Sequence, residues 1–469
     1  MSTLRSVRRP VFPRRPALAL VGGTALLGTV AAGLIGAAPA QAVAWPDKIT
    51  NVSIVSSSPG TFTVRWSQSG KNTTGYRLET GLNPFSKTNS QMPYTGRHSH
   101  VFLIDKNARS FTFSASQLAA AGAPFGSGNQ VYFRLSALNN TRTGTQARNW
   151  AYLQAGIPQA PSYRGETVRI GTFNVRTATG AGRAWPSRVV DVAKQLRYYN
   201  AEVYALQELN VGRADGKSGS LNGTQRQTQS LVSQLKRTGA GKYRLVRTTP
   251  YVSPDAKVNT QGERILYDST RIRLLSNCPD TQPRHGWNSS CSIRLPIRSN
   301  DPSTMTRFAG YAKFQDKTTG KQFWFVSVHL DDRHTGSAAN QRSLNALRGA
   351  QIAKVQSVIN GLNTQHLPVI IAGDYNAWQN DRAGDASHDA LVSAGYTDSY
   401  AASKVVRGQY ATFNDFATTV KPGVNNFGTR LDKIMFRGFT GSATWNNVVK
   451  VTDTRRASDH NLVVSDLVY

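Results

Sequence analysis

Apolar and polar residues alternate with period two through several short runs in the first third of the chain: Thr61–Trp66, Gly75–Glu79 and Val131–Leu138. Alternation at that period gives a strand one buried and one solvated face. With Gly- and Ser-rich turns between the runs, it predicts a small antiparallel sandwich over 43–156. Pro158 and Pro161 then predict a stiff, extended linker over 157–166. Beyond it the pattern changes. Val168–Phe173 reads as a strand, Pro186–Tyr199, apolar at Val189, Val192, Ala193 and Leu196, as a helix, and Val203–Leu206 as a strand again. Phe308–Phe314 and Phe323–His329 flank Thr318-Thr319-Gly320 and predict a hairpin. A helix across Asn340–Ile359, a buried strand at Leu367–Ala372 and closing strands at Leu431–Phe436 and Asn461–Val468 complete the pattern. Strands interspersed with helices over 167–469 imply sheet layers covered by helices.

The chain has 469 residues, enough for two or three domains at roughly 100–200 residues each. Its 39% hydrophobic content excludes collagenous, coiled-coil and wholly disordered classes. Charge adds a preference among partners. Lys and Arg number 56 against 26 Asp and Glu, a formal net charge of +30, with a basic excess on both sides of the linker. Such a field attracts polyanions: nucleic acid, anionic lipid headgroups and acidic wall polymers all qualify, and net charge does not choose among them.

Arg5, Arg8, Arg9, Arg14 and Arg15 precede an uncharged stretch from Ala17 to Ala38 and then Ala40-Gln41-Ala42. That order predicts a secretory signal over 1–42, cleaved after Ala42, and hence a secreted, extracellular protein. No later segment resembles a membrane span. The two cysteines, Cys278 and Cys291, would then meet an oxidising space, where a pair normally forms a disulfide. A loop that short would stabilise the fold by about 3 kcal/mol.

Acid, amide and imidazole groups recur where strands are predicted to end: Thr172-Phe173-Asn174-Val175, Gln207-Glu208-Leu209, Ser327-Val328-His329-Leu330, Gly373-Asp374-Tyr375-Asn376 and Ser458-Asp459-His460. Strand ends are where polar groups from distant sequence can converge. Each cluster alone is weak, since Gly-Asp-x-Asn is a common turn and Ser-Asp-His can cap a helix. Their joint order is what carries the signal.

That set resembles the endonuclease/exonuclease/phosphatase family, the pancreatic-deoxyribonuclease-like phosphodiesterases, over 167–469. The resemblance implies an α/β (α+β) four-layer sandwich of two packed mixed β-sheets flanked by helices, here preceded by the small all-β sandwich. It also implies a metal site of Glu208, Asn174 and Asp459 for Mg2+ or Mn2+, with Ca2+ as an accessory ion left open; a hard cation needs oxygen ligands. His329 and His460 become the candidate acid and base, oriented by Glu263 and Asp432 respectively. Asp374 and Asn376 would orient water and hold the scissile phosphate, the base role staying open between Asp374 and a histidine. Asn174, Asn376, Arg176 and Arg264 are the substrate-binding candidates. Arg213, Lys217, Arg333 and Arg342 are near the clusters in sequence and read equally well as solvated surface. His285, His334, His366 and His388 match no motif. In the first part, the Trp66 strand, Gly75-Tyr76-Arg77-Leu78 and Tyr132–Asn139 resemble a fibronectin type III module in order and spacing, with a carbohydrate-binding sandwich as the alternative.

The same active site can serve several phosphate esters, so the surrounding residues must choose. The positions that carry tryptophan motifs in inositol phosphatases read Ile371-Ala372-Gly373-Asp374 and Arg430-Leu431-Asp432-Lys433, which disfavours that substrate. No apolar loop suited to entering a bilayer is evident, although a secreted sphingomyelinase stays an alternative. The basic catalytic part favours a long polyanion, with extracellular DNA first. A catalytically inactive polymer-binding protein is a further alternative. The expected partners are nucleic acid and, through the N-terminal part, a cell-wall or extracellular polymer, and the expected state is a monomer.

Overall fold

The computed structural model describes residues 45–55, 62–68, 70–82, 99–141, 144–178, 182–210, 226–246, 263–276, 291–298, 307–379, 381 and 383–469. The expected signal segment, Cys278 and so its bridge to Cys291, Arg213, Lys217 and His285 lie outside the described residues. No described helix is long and apolar enough to cross a membrane.

The first part is all-β apart from one short helix: β1 (Thr50–Val55), β2 (Phe62–Ser67), β3 (Gly75–Gly81), β4 (His100–Asp105), β5 (Ser110–Phe113), α1 (Ala115–Ala120), β6 (Val131–Thr141) and β7 (Gly144–Gly156). A three-stranded sheet, β1-β2-β5, and a four-stranded one, β4-β3-β6-β7, carry Trp66, Tyr76, Leu78, Phe113 and Phe133 in one core. The segment after β7 lies against the larger, C-terminal part of the chain. Ile157 packs on that part's core, and Tyr163 sits so close to Gly441 that any side chain there would strike its ring.

The C-terminal part begins with β8 (Thr167–Asn174), α2 (Trp185–Tyr199), β9 (Val203–Gln207), α3 (Gln227–Arg237), β10 (Tyr243–Leu245) and β11 (Arg264–Asp268). There follow β12 (Ile272–Leu274), β13 (Ser292–Arg294), β14 (Phe308–Asp316), β15 (Gln322–His329), α4 (Ala338–Leu362), β16 (Val369–Asp374) and α5 (Ala386–Ser393). β17 (Thr397–Asp398), β18 (Ala402–Val406), β19 (Asp432–Arg437), β20 (Gly441–Val448) and β21 (Leu462–Val468) close the chain. One mixed sheet runs β10-β11-β9-β8-β21-β20-β18; the other runs β12-β14-β15-β16-β19-β17, with β13 on β14. Ile170, Phe325, Ile370, Ile434, Trp445 and Val463 fill the space between the sheets. The outer face of the first sheet is covered by α2 and α3, and that of the second by α4 and α5. This is the expected four-layer sandwich. Sheets covered on both faces explain why β9 and β16 read as continuous apolar runs rather than alternating ones.

Register determines where polar groups end up. His329 on β15 pairs with Asp374 on β16, and Asp374 with Asp432 on β19, so these three cross the second sheet in one row. On the first sheet Asn174, the last residue of β8, pairs with Gln207, the last of β9, placing Glu208 one step beyond.

The all-β part is joined to the second sheet by buried polar contacts. Arg430 bonds Asp398 at 2.8 Å and the Gly128 carbonyl at 2.8 Å, with its guanidinium 3.8 Å from the Tyr400 ring centroid. His388 Nε2 lies 2.7 Å from the Ser127 carbonyl, and the Asp398 amide donates to the Gly126 carbonyl at 2.8 Å. Burial pushes the His388 imidazole down most strongly, but Asp389, Asp398 and Asp385 outweigh it and raise it to about 9. A raised folded-state value means that the stabilisation is complete below the unfolded value near 6.5 and is lost as pH climbs through about 9. The melting temperature should therefore fall by several degrees between about pH 7 and pH 10, and more steeply than in His388→Gln. Equal slopes in the two proteins would show that this charge plays no part.

Candidate active site

Each group singled out by the strand-end pattern can be traced to its place. Asn174 closes β8, Glu208 follows β9, Glu263 precedes β11, His329 closes β15, Asp374 closes β16, Asp432 opens β19, and Asp459 and His460 precede β21. All eight are buried, with exposures of 1–7%. Glu208, Arg176 and Asn376 take left-handed backbone conformations, with φ of 57°, 59° and 48°, a cost that clusters at functional sites.

Asp374 is the hub. Its Oδ2 accepts from Asn174 Nδ2 at 3.1 Å and lies 3.5 Å from the Nε2 atoms of both His329 and His460. Its Oδ1 accepts from the Asn376 amide at 2.9 Å. Asn174 Nδ2 also reaches Glu208 Oε1 at 3.1 Å, so one amide links acids from the two sheets. Gly373 makes the hub attainable, because a side chain there would strike the Val328 carbonyl of the neighbouring strand. Asn376 Nδ2 donates to the Leu330 carbonyl at 3.1 Å, which fixes the turn after β16 to the turn after β15.

The two histidines meet different fields. His460 Nδ1 lies 2.9 Å from Asp432 Oδ2. Burial is the largest single influence on His460 and lowers it, but Asp432, Asp374 and Asp459 together raise the imidazole to about 10. His329 is held well below its usual value by burial first, then by Arg307, His460 and Arg176. Its Nδ1 lies 3.8 Å from Glu263 Oε1, beyond hydrogen-bond reach. Burial pushes Glu263 up to about 8 despite Arg307, so this pairing is between two groups that both favour neutrality. The site therefore holds one cationic and one neutral imidazole beside the same carboxylate, the separation that acid and base work requires.

The donor chemistry fits a hard dication. Glu208, Asp374 and Asp459 present carboxylate oxygens in one buried place, with Asn174 Nδ2 turned to the first two and its Oδ1 accepting the Arg176 amide at 3.1 Å, and burial raises both Asp374 and Asp459, the signature of acids short of positive charge. Arg176 partly supplies it: its guanidinium lies 3.6 Å from Glu208 and 3.5 Å from Asp459. Asp374, Asp432 and His460 also offer one donor atom each within 4.8 Å of one another. There the Asp432 bond to Nδ1 already engages His460, and a nitrogen suits borderline metals better than Mg2+.

Several residues to which the sequence assigned no role hold the site. Arg188 is 1% exposed and donates to the carbonyls of Val175, Thr177 and Ala457 at 2.7, 2.9 and 2.9 Å, clamping the loops that follow Asn174 and precede Asp459. Its signal was available: Arg188 sits three residues after Trp185, on the apolar stripe of α2. Ser458 Oγ donates to the Asn174 carbonyl at 2.7 Å. Lys433 joins Asp385 at 2.8 Å and the Ala377 carbonyl at 2.5 Å. Arg307, 1% exposed, points Nη1 at the His329 carbonyl and meets Asp332 at 2.9 Å. Of the substrate-binding candidates, Arg176 borders the pocket, whereas Arg264 is 5% exposed and bonds the Glu263 carbonyl. Arg333 is engaged by Asp331 and Arg342 is exposed. His334 packs on Trp378 and His366 lies at the C-terminal end of α4.

The family model described as "Endonuclease/Exonuclease/phosphatase family" matches residues 171–460, and the chain belongs to that family, whose members are metal-dependent phosphoesterases and nucleases. Among solved structures, it is similar to an endonuclease/exonuclease/phosphatase family protein of Bacteroides thetaiotaomicron, with 20% identity, 66% of this chain and 99% of that one covered, and a TM-score of 0.48. A mannosyl-6-phosphatase of the same organism is also 20% identical, covering 64% of this chain and 100% of its own, with a TM-score of 0.48. The human nocturnin catalytic domain with bound sulfate anion is 18% identical over 64% of this chain and 93% of its own, with a TM-score of 0.42. No curated protein matches the sequence.

Asp432→Asn should lower the His460 imidazole by about one unit or more, read by NMR titration in EDTA. An unchanged titration would remove Asp432 as its orienting partner.

Proposed function

We propose that this chain is an exported phosphodiesterase, dependent on Mg2+ or Mn2+, that hydrolyses DNA outside the cell. The observation that carries the reading is the convergence of Asn174, Glu208 and Asp459 with Asp374 and both imidazoles in one buried pocket. Residues 1–42 serve as the export signal, and the all-β part acts as a fibronectin type III-like module that holds the enzyme to an extracellular polymer.

Glu208, Asn174 and Asp459 would hold the cation, which when bound supplies Lewis-acid neutralisation of the phosphate. Asn376 and Asn174 position the non-bridging oxygens. A water oxygen forms the new bond to phosphorus, giving its proton to Asp374 or to His329, while the ester P–O bond breaks. His460, held protonated by its three acids, lies beside the same carboxylate and supplies the proton to the departing alkoxide. The fixed cationic excess of the chain supports a long polyanionic substrate over a small ester.

Supercoiled plasmid should be nicked in Mg2+, and the activity should be lost in EDTA and in Glu208→Gln. His329→Ala and His460→Ala should each lower the rate by about 10²–10⁴. Intact plasmid with rapid turnover of sphingomyelin, or release of inorganic phosphate from a sugar phosphate, would replace DNA as the substrate. Turnover of none of these would leave a binding protein.

A further inference from the structure

A cleft of about 1020 Å³ lies between α2 and the loop that follows β20, with His460 in its lining. Its walls come from Asp191 to Tyr199 on the helix and from Val448 to Asn461 on the other side. His460 and Ser458 are among its lining residues, so the cleft borders the active site.

The lining is basic in a way that local pairing does not cancel. Lys194, Arg197 and Lys450 are exposed, and their side chains make no hydrogen bond or ion pair among the described residues. The Arg455 side chain is 70% exposed. The two acids are already engaged: Asp191 bonds Arg183 at 2.6 Å, with Arg455 at 3.8 Å, and Asp453 accepts the Arg455 amide at 2.8 Å. Arg456 and Arg407 build the walls by bonding backbone carbonyls, the former those of Ala417, Lys450 and Val451 and the latter that of Val449. Tyr198, on the same helical face as Asp191 and Lys194, is 80% exposed, and its ring is propped edge-on by Tyr199 with centroids 5.0 Å apart. A bare aromatic ring among free cations in a concave, polar groove is the combination that binds an unpaired polynucleotide: phosphates meet the cations and a base stacks on the ring. A flat bilayer cannot follow a concave wall, and a duplex keeps its bases stacked and out of reach of Tyr198.

We infer that this cleft is a subsite for single-stranded nucleic acid, holding the strand that extends from the scissile phosphate past His460. Lys194, Lys450 and Arg455 take its phosphates and Tyr198 stacks a base. The inference rests on the phosphodiesterase reading for its biological sense, but binding tests it separately from hydrolysis.

The full-length exported protein is titrated in EDTA with a fluorescent single-stranded oligonucleotide of about 12 nucleotides, with the matching duplex, and with phosphatidylserine vesicles. The single strand should bind more tightly than the duplex. Lys194→Glu/Lys450→Glu should weaken it at least about tenfold and lower the slope of log Kd against log salt by about 1.4, two phosphates' worth. Tyr198→Ala should weaken it about tenfold with the slope unchanged. Circular dichroism melting confirms that the variants fold. Single-strand affinity and salt slope that ignore all three substitutions overturn the assignment, as does loss of vesicle binding alone. A wild type that binds the strand but in Mg2+ turns over neither plasmid, sphingomyelin nor a sugar phosphate would end the hydrolase reading and leave the cleft standing.

Discussion

Burying five carboxylates in one pocket is the constraint that shapes this molecule. Glu208, Glu263, Asp374, Asp432 and Asp459 are each at most 7% exposed, and a buried charge is tolerated only where it is paired or hydrogen-bonded. The molecule answers in three ways. His460 carries a proton between Asp432 and Asp374, Arg176 leans on Glu208 and Asp459, and Glu263 is raised far enough to be protonated much of the time. The result is a pocket that favours further positive charge, which is the electrostatic basis for a metal centre in a family of metal-dependent phosphoesterases.

Holding those acids together requires backbone precision more than side-chain packing. The row His329, Asp374, Asp432 arises from a parallel pair next to an antiparallel one, and a slip of one residue would turn Asp374 to the opposite face. On the facing sheet, Asn174 ends β8 and Glu208 sits one residue past the end of the adjacent parallel strand β9. Arg188 then converts helix α2 from a cover into a clamp, because its one guanidinium holds loops on either side of the metal-side acids. Burial lowers that guanidinium to about 10, still far enough above neutrality for it to remain charged.

The same helix faces two ways. Its buried stripe, Trp185, Arg188, Val192 and Leu196, belongs to the core and the active-site loops, while its outer residues, Lys194 and Tyr198, border the basic cleft. The all-β part is likewise more than an appendage in space, since Ser127 and Gly128 offer carbonyls to His388 and Arg430, and Arg430 is two residues from Asp432.

The helix-covered sheets and the strand-end clusters that hold Asn174, Glu208, His329, Asp374 and His460 were legible in the chain, because hydrophobic period and strand-end polarity are local properties that a sequence carries directly, whereas α3, α5, β18 and β20 were not read from it. Boundaries moved only slightly: the helix read as Pro186–Tyr199 begins at Trp185, and the strand read as Leu367–Ala372 spans Val369–Asp374, since strand ends are set by partners rather than by propensity. His388 matched no motif, yet it is buried against a carbonyl 261 residues away, and nothing near it in sequence foretold that. Arg307 was equally silent, as one charged residue carries no period. Which imidazole is held protonated, which arginine stays at the pocket and which is buried at a strand edge, and that one wall of α2 bounds a basic cleft are consequences of burial and of distances across sheets. Those arise only when residues far apart in the chain share a low-dielectric space.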